Sequence, residues 1–168
     1  MTRVSTGNSQ ADEILSGGFP KNSINIVMGQ PGTGKSIFAE QLVFQNASDD
    51  RPILYLTTLS EPLAKMVTYL QRFAFFDEDK IGKSVVYEDI GPQLVAGGIR
   101  ALLACVEQAI EASAPKIIVS NKIGSLFRQS SRYLPKLWSM PRNTQSSAGV
   151  RLQLVDVCQR GSPLPLGK

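Results

Sequence analysis

The chain has 168 residues, of which 42% are hydrophobic and 19% are charged, and it contains two cysteines and no histidine. This length supports one domain with a substantial hydrophobic core, but not two. Two cysteines provide neither a disulfide framework nor a metal-ligand pattern, and the absence of histidine excludes imidazole catalysis. No apolar run approaches the roughly 20 residues of a membrane span, and the first residues lack the apolar segment of a secretory signal. We therefore expect a cytoplasmic protein with no membrane partner.

The formal net charge of +4 is distributed unevenly along the chain. Residues 1–119 hold ten basic and thirteen acidic side chains, whereas residues 120–168 hold eight basic and one acidic. The two parts differ in composition as well as in charge. We therefore predict a folded core domain over residues 1–119 and a divergent or non-native basic tail over residues 120–168.

The N-terminal part of the chain is expected to form a short helix followed by a strand. Residues 12–15 predict a helical turn that ends at Gly17 and Gly18, and residues 20–22 predict a turn. Residues 23–28 are a short apolar run with β-branched side chains, which predicts a strand.

An eight-residue segment directly after this strand fits the phosphate-binding pattern G-x-x-x-x-G-K-[ST], the P-loop. Its residues are Gly29, Gln30, Pro31, Gly32, Thr33, Gly34, Lys35 and Ser36. The glycines allow backbone angles and a close approach that a Cβ would prevent. Lys35 would bring a positive charge to the β- and γ-phosphates, and the Ser36 hydroxyl would ligate Mg²⁺. Because a strand precedes the loop and a helical pattern follows it, the segment predicts binding of a nucleoside triphosphate.

The rest of the first 119 residues alternates strands with helices. Apolar runs predict strands at 53–57, 85–87 and 116–119, and apolar periodicity predicts helices at 63–70 and from 99 to about 114. The second helix is weakened early by Gly97 and Gly98, and three phenylalanines between residues 73 and 83 predict a packed corner. This alternation predicts a parallel sheet with right-handed crossovers and a ligand at the carboxyl ends of its strands.

Three segments together resemble the RecA-like P-loop ATPases, specifically the KaiC ATPase family and its RadA-like relatives. They are Ser5-Thr6-Gly7, the pattern D-x-I-L-x-G-G-x-P at residues 12–20, and the P-loop at residues 29–36. The resemblance covers about residues 3–119 and implies an α/β fold with a RecA-like parallel sheet flanked by helices, truncated if the tail does not complete it. Family members bind ATP with Mg²⁺ between the subunits of a ring, usually a hexamer, and hydrolyse it. The resemblance therefore implies ATP and Mg²⁺ as cofactors and a homo-oligomeric assembly.

The chain departs from the family pattern after its second long strand. Family members carry one or two glutamates there, and a carboxylate activates the attacking water. Here Leu59 and Ser60 occupy those positions, and Glu61 is the nearest carboxylate. Glu61 is a candidate catalytic residue together with Lys35. It is equally well explained as an acidic residue favoured by the helix dipole, with Pro62 at the first helical position.

A second departure falls at the end of the strand that begins near residue 117. The family places an aspartate that supports Mg²⁺ there, whereas this chain has Asn121, followed by Lys122. An amide is neutral and Lys122 would oppose the cation, so we expect weak or absent hydrolysis.

Three interpretations of the tail remain open. It is out of frame or otherwise replaced, it is a divergent end that completes the sheet, or it is a basic arm for nucleic acid. Residues 152–157 are the one strand that its pattern predicts. The basic residues are spread singly, with only Tyr133 and Trp138 as nearby aromatic residues, which argues against a nucleic-acid groove.

Three functions are consistent with this sequence. The leading hypothesis is ATP binding with weak or assembly-dependent hydrolysis, in which the P-loop holds the phosphates and Ser36 takes Mg²⁺. The alternative is a non-catalytic nucleotide-binding or assembly module, which the missing aspartate supports. A further alternative is a RadA-like DNA recombination ATPase.

Overall fold

The computed structural model describes residues 2–57, 63–121 and 153–159, the last segment by its backbone only. The helices in these residues are α1 Ser9–Ile14, α2 Lys35–Asn46, α3 Leu63–Leu70 and α4 Gly91–Ser113, with a 3-10 turn at Glu78–Lys80. The strands are β1 Arg3–Val4, β2 Phe19–Pro20, β3 Ile24–Gly29, β4 Ile53–Thr57, β5 Val85–Asp89, β6 Ile117–Asn121 and β7 Gln153–Gln159. The strand and helix predictions for residues 23–119 are confirmed, except that α4 begins eight residues before the predicted start.

Five of the strands form one parallel sheet in the order β3-β7-β6-β4-β5, and β1 and β2 form a separate antiparallel pair. The predicted α/β class with a RecA-like parallel sheet is confirmed. The strand expected in the tail is also confirmed, because β7 pairs with β3 on one side and with β6 on the other. This pairing supports the interpretation in which the tail completes the sheet, and the division of the chain at residue 119 stays a prediction.

The sheet buries an apolar core on each of its faces. On one face, Leu42 and Val43 of α2 pack in a cluster with Val119 of β6 and Ile53 of β4. On the opposite face, Leu102 and Val106 of α4 are buried in a second cluster. The strand residues in this cluster are Leu54 and Leu56 of β4 and Ile118 of β6. Along β4 and β6 the buried apolar side chains alternate between the two clusters, as in strands covered on both faces.

The connection between α3 and β5 is a packed aromatic corner, as its three phenylalanines predict. The ring centroids of Phe44 and Phe76 lie 5.1 Å apart, and those of Phe73 and Phe75 lie 5.3 Å apart in a stacked arrangement. Phe44 belongs to α2 and is almost fully buried. The corner therefore fixes the C-terminal half of α2 against the sheet.

Helix α4 is bent at Gly98, whose φ of 63° and ψ of −155° interrupt the helical geometry. Only glycine adopts this backbone conformation readily. In the described part of the chain, α4 is the one helix long and apolar enough by length and composition to cross a membrane. Its buried residues contact the sheet of this domain, as described above. The cytoplasmic location stays a prediction.

The Ser5-Thr6-Gly7 segment and Asp12 form a hydrogen-bonded cluster next to α2, which we call the Asp12 cluster. The Asp12 carboxylate accepts hydrogen bonds from the backbone N–H and the hydroxyl of Thr6, each at 2.7 Å, and from the Ser5 hydroxyl. Burial raises the pKa of Asp12, but these hydrogen bonds outweigh it and leave the pKa below its ordinary value. From α2, Gln41 Nε2 donates to the Gly7 carbonyl at 2.6 Å and Asn46 Nδ2 donates to the Ser5 carbonyl at 2.8 Å. The segments that carry the family resemblance therefore attach the N-terminus to the helix that follows the P-loop.

Candidate nucleotide-binding site

The P-loop connects the end of β3 to the start of α2, and its backbone requires glycine at two positions. Gly32 and Gly34 both have φ of 79°, in the left-handed region that L-residues with a Cβ rarely adopt. Among the described residues, no atom lies within 4 Å of the place where a Cβ would be at either residue. A Cβ on Gly29 would lie 3.0 Å from Thr33 Oγ1, so a side chain there would press on the loop. The sequence prediction of a glycine-dependent loop between a strand and a helix is therefore confirmed.

The N-terminus of α2 opens onto this loop without a side-chain cap. Gly34 is the N-cap residue and makes no side-chain hydrogen bond to the first turn. The first N–H groups of a helix have no partner within the helix, and together with the helix dipole they favour a negatively charged ligand. Residues 30–34 are exposed to solvent. The arrangement is suited to an anion that approaches from solvent.

The side chain of Lys35 lies on the loop itself. Its Nζ donates to the Gln30 carbonyl at 2.6 Å and lies 3.3 Å from Thr33 Oγ1. Thr33 Oγ1 also donates to the Gln30 carbonyl, at 2.9 Å. The positive charge of Lys35 is therefore held at the loop. The Gln30 carbonyl would compete with an incoming anion for the Lys35 ammonium group.

Ser36 occupies the first turn of α2, and its side chain is exposed. Among the described residues, no group of three or more carboxylate, cysteine or histidine side chains could hold a metal ion. Mg²⁺ in nucleotide sites commonly keeps several waters and takes its remaining ligands from one or two protein groups and from the phosphates. A single exposed hydroxyl beside an anion-binding loop fits that mode of binding.

Asn121 lies at the carboxyl end of β6, on the side of the sheet that faces α2. It is 6% exposed. Its register partner in β7 is Val157, which also pairs with Val27 of β3, so Asn121 is level with a residue two positions before the P-loop. Two strand spacings separate it from β3, or about 10 Å. The structure thus places the neutral amide at the sheet edge where the family resemblance expects an aspartate.

A buried carboxyl group that the sequence analysis missed lies in the second turn of α2. Glu40 of α2 is 3% exposed, and its Oε2 accepts a hydrogen bond from the Tyr87 hydroxyl at 2.7 Å. Tyr55 of β4 is almost fully buried, and its ring centroid lies 5.2 Å from that of Tyr87. Burial raises the pKa of Glu40 to about 7, although the hydrogen bonds from Tyr87 and Tyr55 act in the opposite direction. The one signal in the sequence was an acidic residue among the apolar residues of α2.

Not all of the predicted site residues can be placed. Residues 29–36 lie together in the loop, and Asn121 lies at the same edge of the sheet. Glu61, Leu59, Ser60 and Lys122 lie outside the described residues. The catalytic role of Glu61 therefore stays a prediction, as do the roles given to Lys35 and Ser36.

A parallel sheet flanked by helices, with a P-loop between its edge strand and the helix that follows, defines a RecA-like P-loop domain. A family model described as "ATPase: KaiC" matches residues 4–134. The chain belongs to the KaiC ATPase family. The match begins where the resemblance was expected to begin and extends beyond residue 119.

Proteins of known sequence and structure support the same assignment. A UPF0273 protein of Pyrococcus horikoshii is 30% identical over 74% of this chain and 56% of its own length. A UPF0273 protein of Methanopyrus kandleri is 38% identical over 36% of this chain and 24% of its own length. The DNA repair protein RadA of Pseudomonas aeruginosa is 27% identical over 80% of this chain and 26% of its own length. The chain thus spans about a quarter to just over half of the length of these relatives.

A solved structure shows the fold at greater sequence distance. The crystal structure of a KaiC-like protein from Pyrococcus horikoshii matches with a TM-score of 0.68 and 22% identity. The match covers 99% of this chain and 75% of that one. At this identity the likeness shows the fold, and this fold is the RecA-like one expected from the sequence.

Proposed function

We propose that this chain binds ATP together with Mg²⁺ at the P-loop formed by residues 29–36. The observation that carries the proposal is the geometry of the loop: two left-handed glycines with no described atom within 4 Å of where a Cβ would lie, followed by a helix N-terminus without a side-chain cap. Membership of the KaiC ATPase family supports the choice of ATP over other anions, because RecA-like ATPases bind ATP with Mg²⁺.

Each residue of the loop has a role in this proposal. The backbone N–H groups of residues 32–36 hold the phosphate oxygens. Lys35 exchanges the Gln30 carbonyl for the β- and γ-phosphates, which present a stronger negative charge to its ammonium group. The Ser36 hydroxyl ligates Mg²⁺, which would neutralise phosphate charge when bound.

We propose that hydrolysis is weak or depends on assembly. Asn121 provides no negative charge at the position from which the family aspartate supports Mg²⁺. Glu61 is the proposed activator of water, and the further positive charge that phosphoryl transfer needs comes from outside the loop. In a homo-oligomeric ring the neighbouring subunit would supply it, so a monomer should bind ATP much better than it hydrolyses it.

A non-catalytic nucleotide-binding module is the second candidate function. The observation that favours it is the burial of a neutral Asn121 at the carboxyl end of β6, where an ATPase would be expected to present a carboxylate. Such a module would bind ATP to control assembly without turning it over. A role in DNA recombination stays a prediction that rests on the similarity to RadA, and it predicts strongly salt-dependent binding of single-stranded DNA.

Two measurements test the proposal. Binding of a fluorescent ATP analogue should be lost in Lys35→Ala and unchanged in Lys83→Ala, which alters an exposed lysine in a turn away from the loop. Wild-type protein that binds no nucleotide in the presence of Mg²⁺ would refute ATP binding. Phosphate release under multiple-turnover conditions then separates the two candidates, because an enzyme should lose its activity in Glu61→Gln and a module should show none above buffer.

A further inference from the structure

Three polar groups of the P-loop form a closed triangle of hydrogen bonds. We call it the Gln30 triangle, and its members are the carbonyl oxygen of Gln30, the hydroxyl of Thr33 and the ammonium group of Lys35. The Gln30 oxygen lies 2.6 Å from Lys35 Nζ and 2.9 Å from Thr33 Oγ1. The third side, between Lys35 Nζ and Thr33 Oγ1, measures 3.3 Å. One backbone carbonyl therefore accepts hydrogen bonds from two side chains of the loop.

The chemistry of the three groups fixes the direction of each hydrogen bond in the triangle. The Lys35 ammonium group can only donate, so the Thr33 oxygen accepts from it. The single hydroxyl hydrogen of Thr33 is donated to the Gln30 carbonyl. A carbonyl oxygen has two lone pairs, so it can accept from both side chains at the same time. Thr33 can therefore keep its hydrogen bond to Gln30 when Lys35 leaves.

Gly29 provides the space that the triangle occupies. A Cβ on Gly29 would lie 3.0 Å from Thr33 Oγ1 and 3.6 Å from Lys35 Cδ. The first distance is shorter than an ordinary van der Waals contact, so a methyl group would push the Thr33 hydroxyl away from its position. Gly29 is the last residue of β3, and alanine can adopt the backbone conformation of a strand. Gly29→Ala should therefore disturb the triangle by its size rather than by backbone strain.

Binding of a phosphate chain would change the partners of the Gln30 carbonyl. In the proposed function, on which this inference rests, Lys35 exchanges that carbonyl for phosphate oxygens. A ligand seated on the loop would also exclude water, and a carbonyl left without a donor beneath it would be costly. We propose that Thr33 is a positioning residue, whose hydroxyl keeps the Gln30 carbonyl hydrogen-bonded while Lys35 moves to a chain of linked phosphates. The hydroxyl then strengthens phosphate binding without contacting the ligand.

Substitutions at Thr33 separate the effect of the hydroxyl from that of the side-chain shape. Thr33→Val keeps the shape and removes the hydroxyl, so the Gln30 carbonyl would lose its remaining donor when Lys35 moves. We expect this variant to bind a phosphate chain about tenfold more weakly, the effect of one unsatisfied carbonyl. Thr33→Ser keeps the hydroxyl and should retain the affinity of the wild type. Because Thr33 is exposed, both variants should unfold at the same urea concentration as the wild type.

The first test observes the triangle in the whole chain without a ligand. The side-chain ¹H–¹⁵N signal of the Lys35 ammonium group, identified by its loss in Lys35→Arg, should shift in Thr33→Val and in Gly29→Ala. It should stay in place in Thr33→Ser. Thr68→Val is the matched control and should leave the signal unchanged, because the exposed Thr68 hydroxyl also donates to a backbone carbonyl, at 2.9 Å, but on α3. A Lys35 signal at the same position in Thr33→Val and in the wild type would overturn the triangle.

The second test compares the affinities for inorganic tripolyphosphate and for a fluorescent ATP analogue, both with Mg²⁺. Thr33→Val should lose about tenfold for each ligand, Gly29→Ala should lose affinity in the same direction, and Thr68→Val should lose none. Equal affinity of Thr33→Val and the wild type would overturn the role of Thr33, while binding of the analogue would still support the proposed function. Tripolyphosphate binding that Thr33→Val weakens, without binding of the analogue, would support the role of Thr33 and refute ATP binding. Absence of binding of both ligands to the wild type would overturn both proposals.

Discussion

Tyr87 of β5 donates a hydrogen bond of 2.7 Å to the carboxyl group of Glu40 in α2, across the core of the domain. This bond joins the strand at one edge of the sheet to the helix that begins at the P-loop at the other edge. A buried acidic group without such donors would be very costly. The Tyr87 hydroxyl therefore helps to accommodate an acidic residue on the buried side of α2.

The stability of the chain should decrease as the pH rises through the range in which Glu40 titrates. The ordinary pKa of the group is 4.5, and burial raises it to about 7 in the folded chain. Between these values the folded chain holds a proton that the unfolded chain has lost, so the free energy of unfolding falls with rising pH, by roughly 3 kcal/mol at most. Urea unfolding at a series of pH values should show this decrease in the wild type and not in Glu40→Gln. Parallel pH profiles for the two proteins would contradict it.

The Asp12 cluster should make the chain less stable in acid, so its stability should change with pH in the opposite direction. Its pKa is lowered, so the stability it contributes is present above its ordinary value of 3.8 and is lost as the pH falls below that value. Asp12→Asn should reduce the free energy of unfolding by roughly 1–3 kcal/mol at neutral pH, because the amide replaces a charged acceptor of three hydrogen bonds. Asp49→Asn is a matched control at an exposed position and should change stability little. Equal stability of Asp12→Asn and Asp49→Asn would show that the Asp12 cluster does not stabilise the packing of the N-terminal segment on α2.

The sequence was sufficient to predict β3, the P-loop and α2, because each has a strong local signal. The apolar run, the glycines and the helical pattern occupy consecutive residues, and the structure has them in that order. The start of α4 was missed because residues 91–98 contain three glycines and a proline, which have low helix propensity. These residues are nevertheless helical up to the bend at Gly98, and Leu94 packs against the core cluster on that face of the sheet.

The burial of Glu40 could not be predicted for a different reason. An acidic residue in a helix is ordinarily exposed, so its position among the apolar residues of α2 was not enough to predict burial. Its hydrogen-bond donor Tyr87 is 47 residues further along the chain, and only the tertiary fold brings the two side chains together. The position of β7 between β3 and β6 likewise depends on pairing between distant segments, although its strand character was evident from its own residues.

The left-handed glycine at the start of α2 should matter for nucleotide binding more than for folding. Gly34→Ala places a Cβ on a residue with φ of 79°, which costs about 1–2 kcal/mol and moves the N–H groups of the first turn. We expect affinity for a fluorescent ATP analogue to fall at least about tenfold, because these groups would no longer converge on one anion. Gly82→Ala is the matched control, since Gly82 has φ of 75° in a turn away from the loop. A similar loss of affinity in both variants would mean that the effect is general destabilisation.

Restoring an acidic residue at position 121 should improve the Mg²⁺ site at a cost in stability. In Asn121→Asp, a carboxylate would support Mg²⁺ and its waters, so the dependence of ATP affinity on Mg²⁺ should increase relative to Asn121→Ser, which adds no charge. The new carboxylate would also be buried on the side of the sheet that Glu40 faces, and two neighbouring carboxylates resist joint ionisation. At about pH 8 the variant should lose roughly 1–3 kcal/mol of stability, and adding Glu40→Gln should recover part of it by removing the second charge. If Asn121→Asp responds to Mg²⁺ no more than Asn121→Ser does, the amide does not stand at the position from which an acid supports the metal.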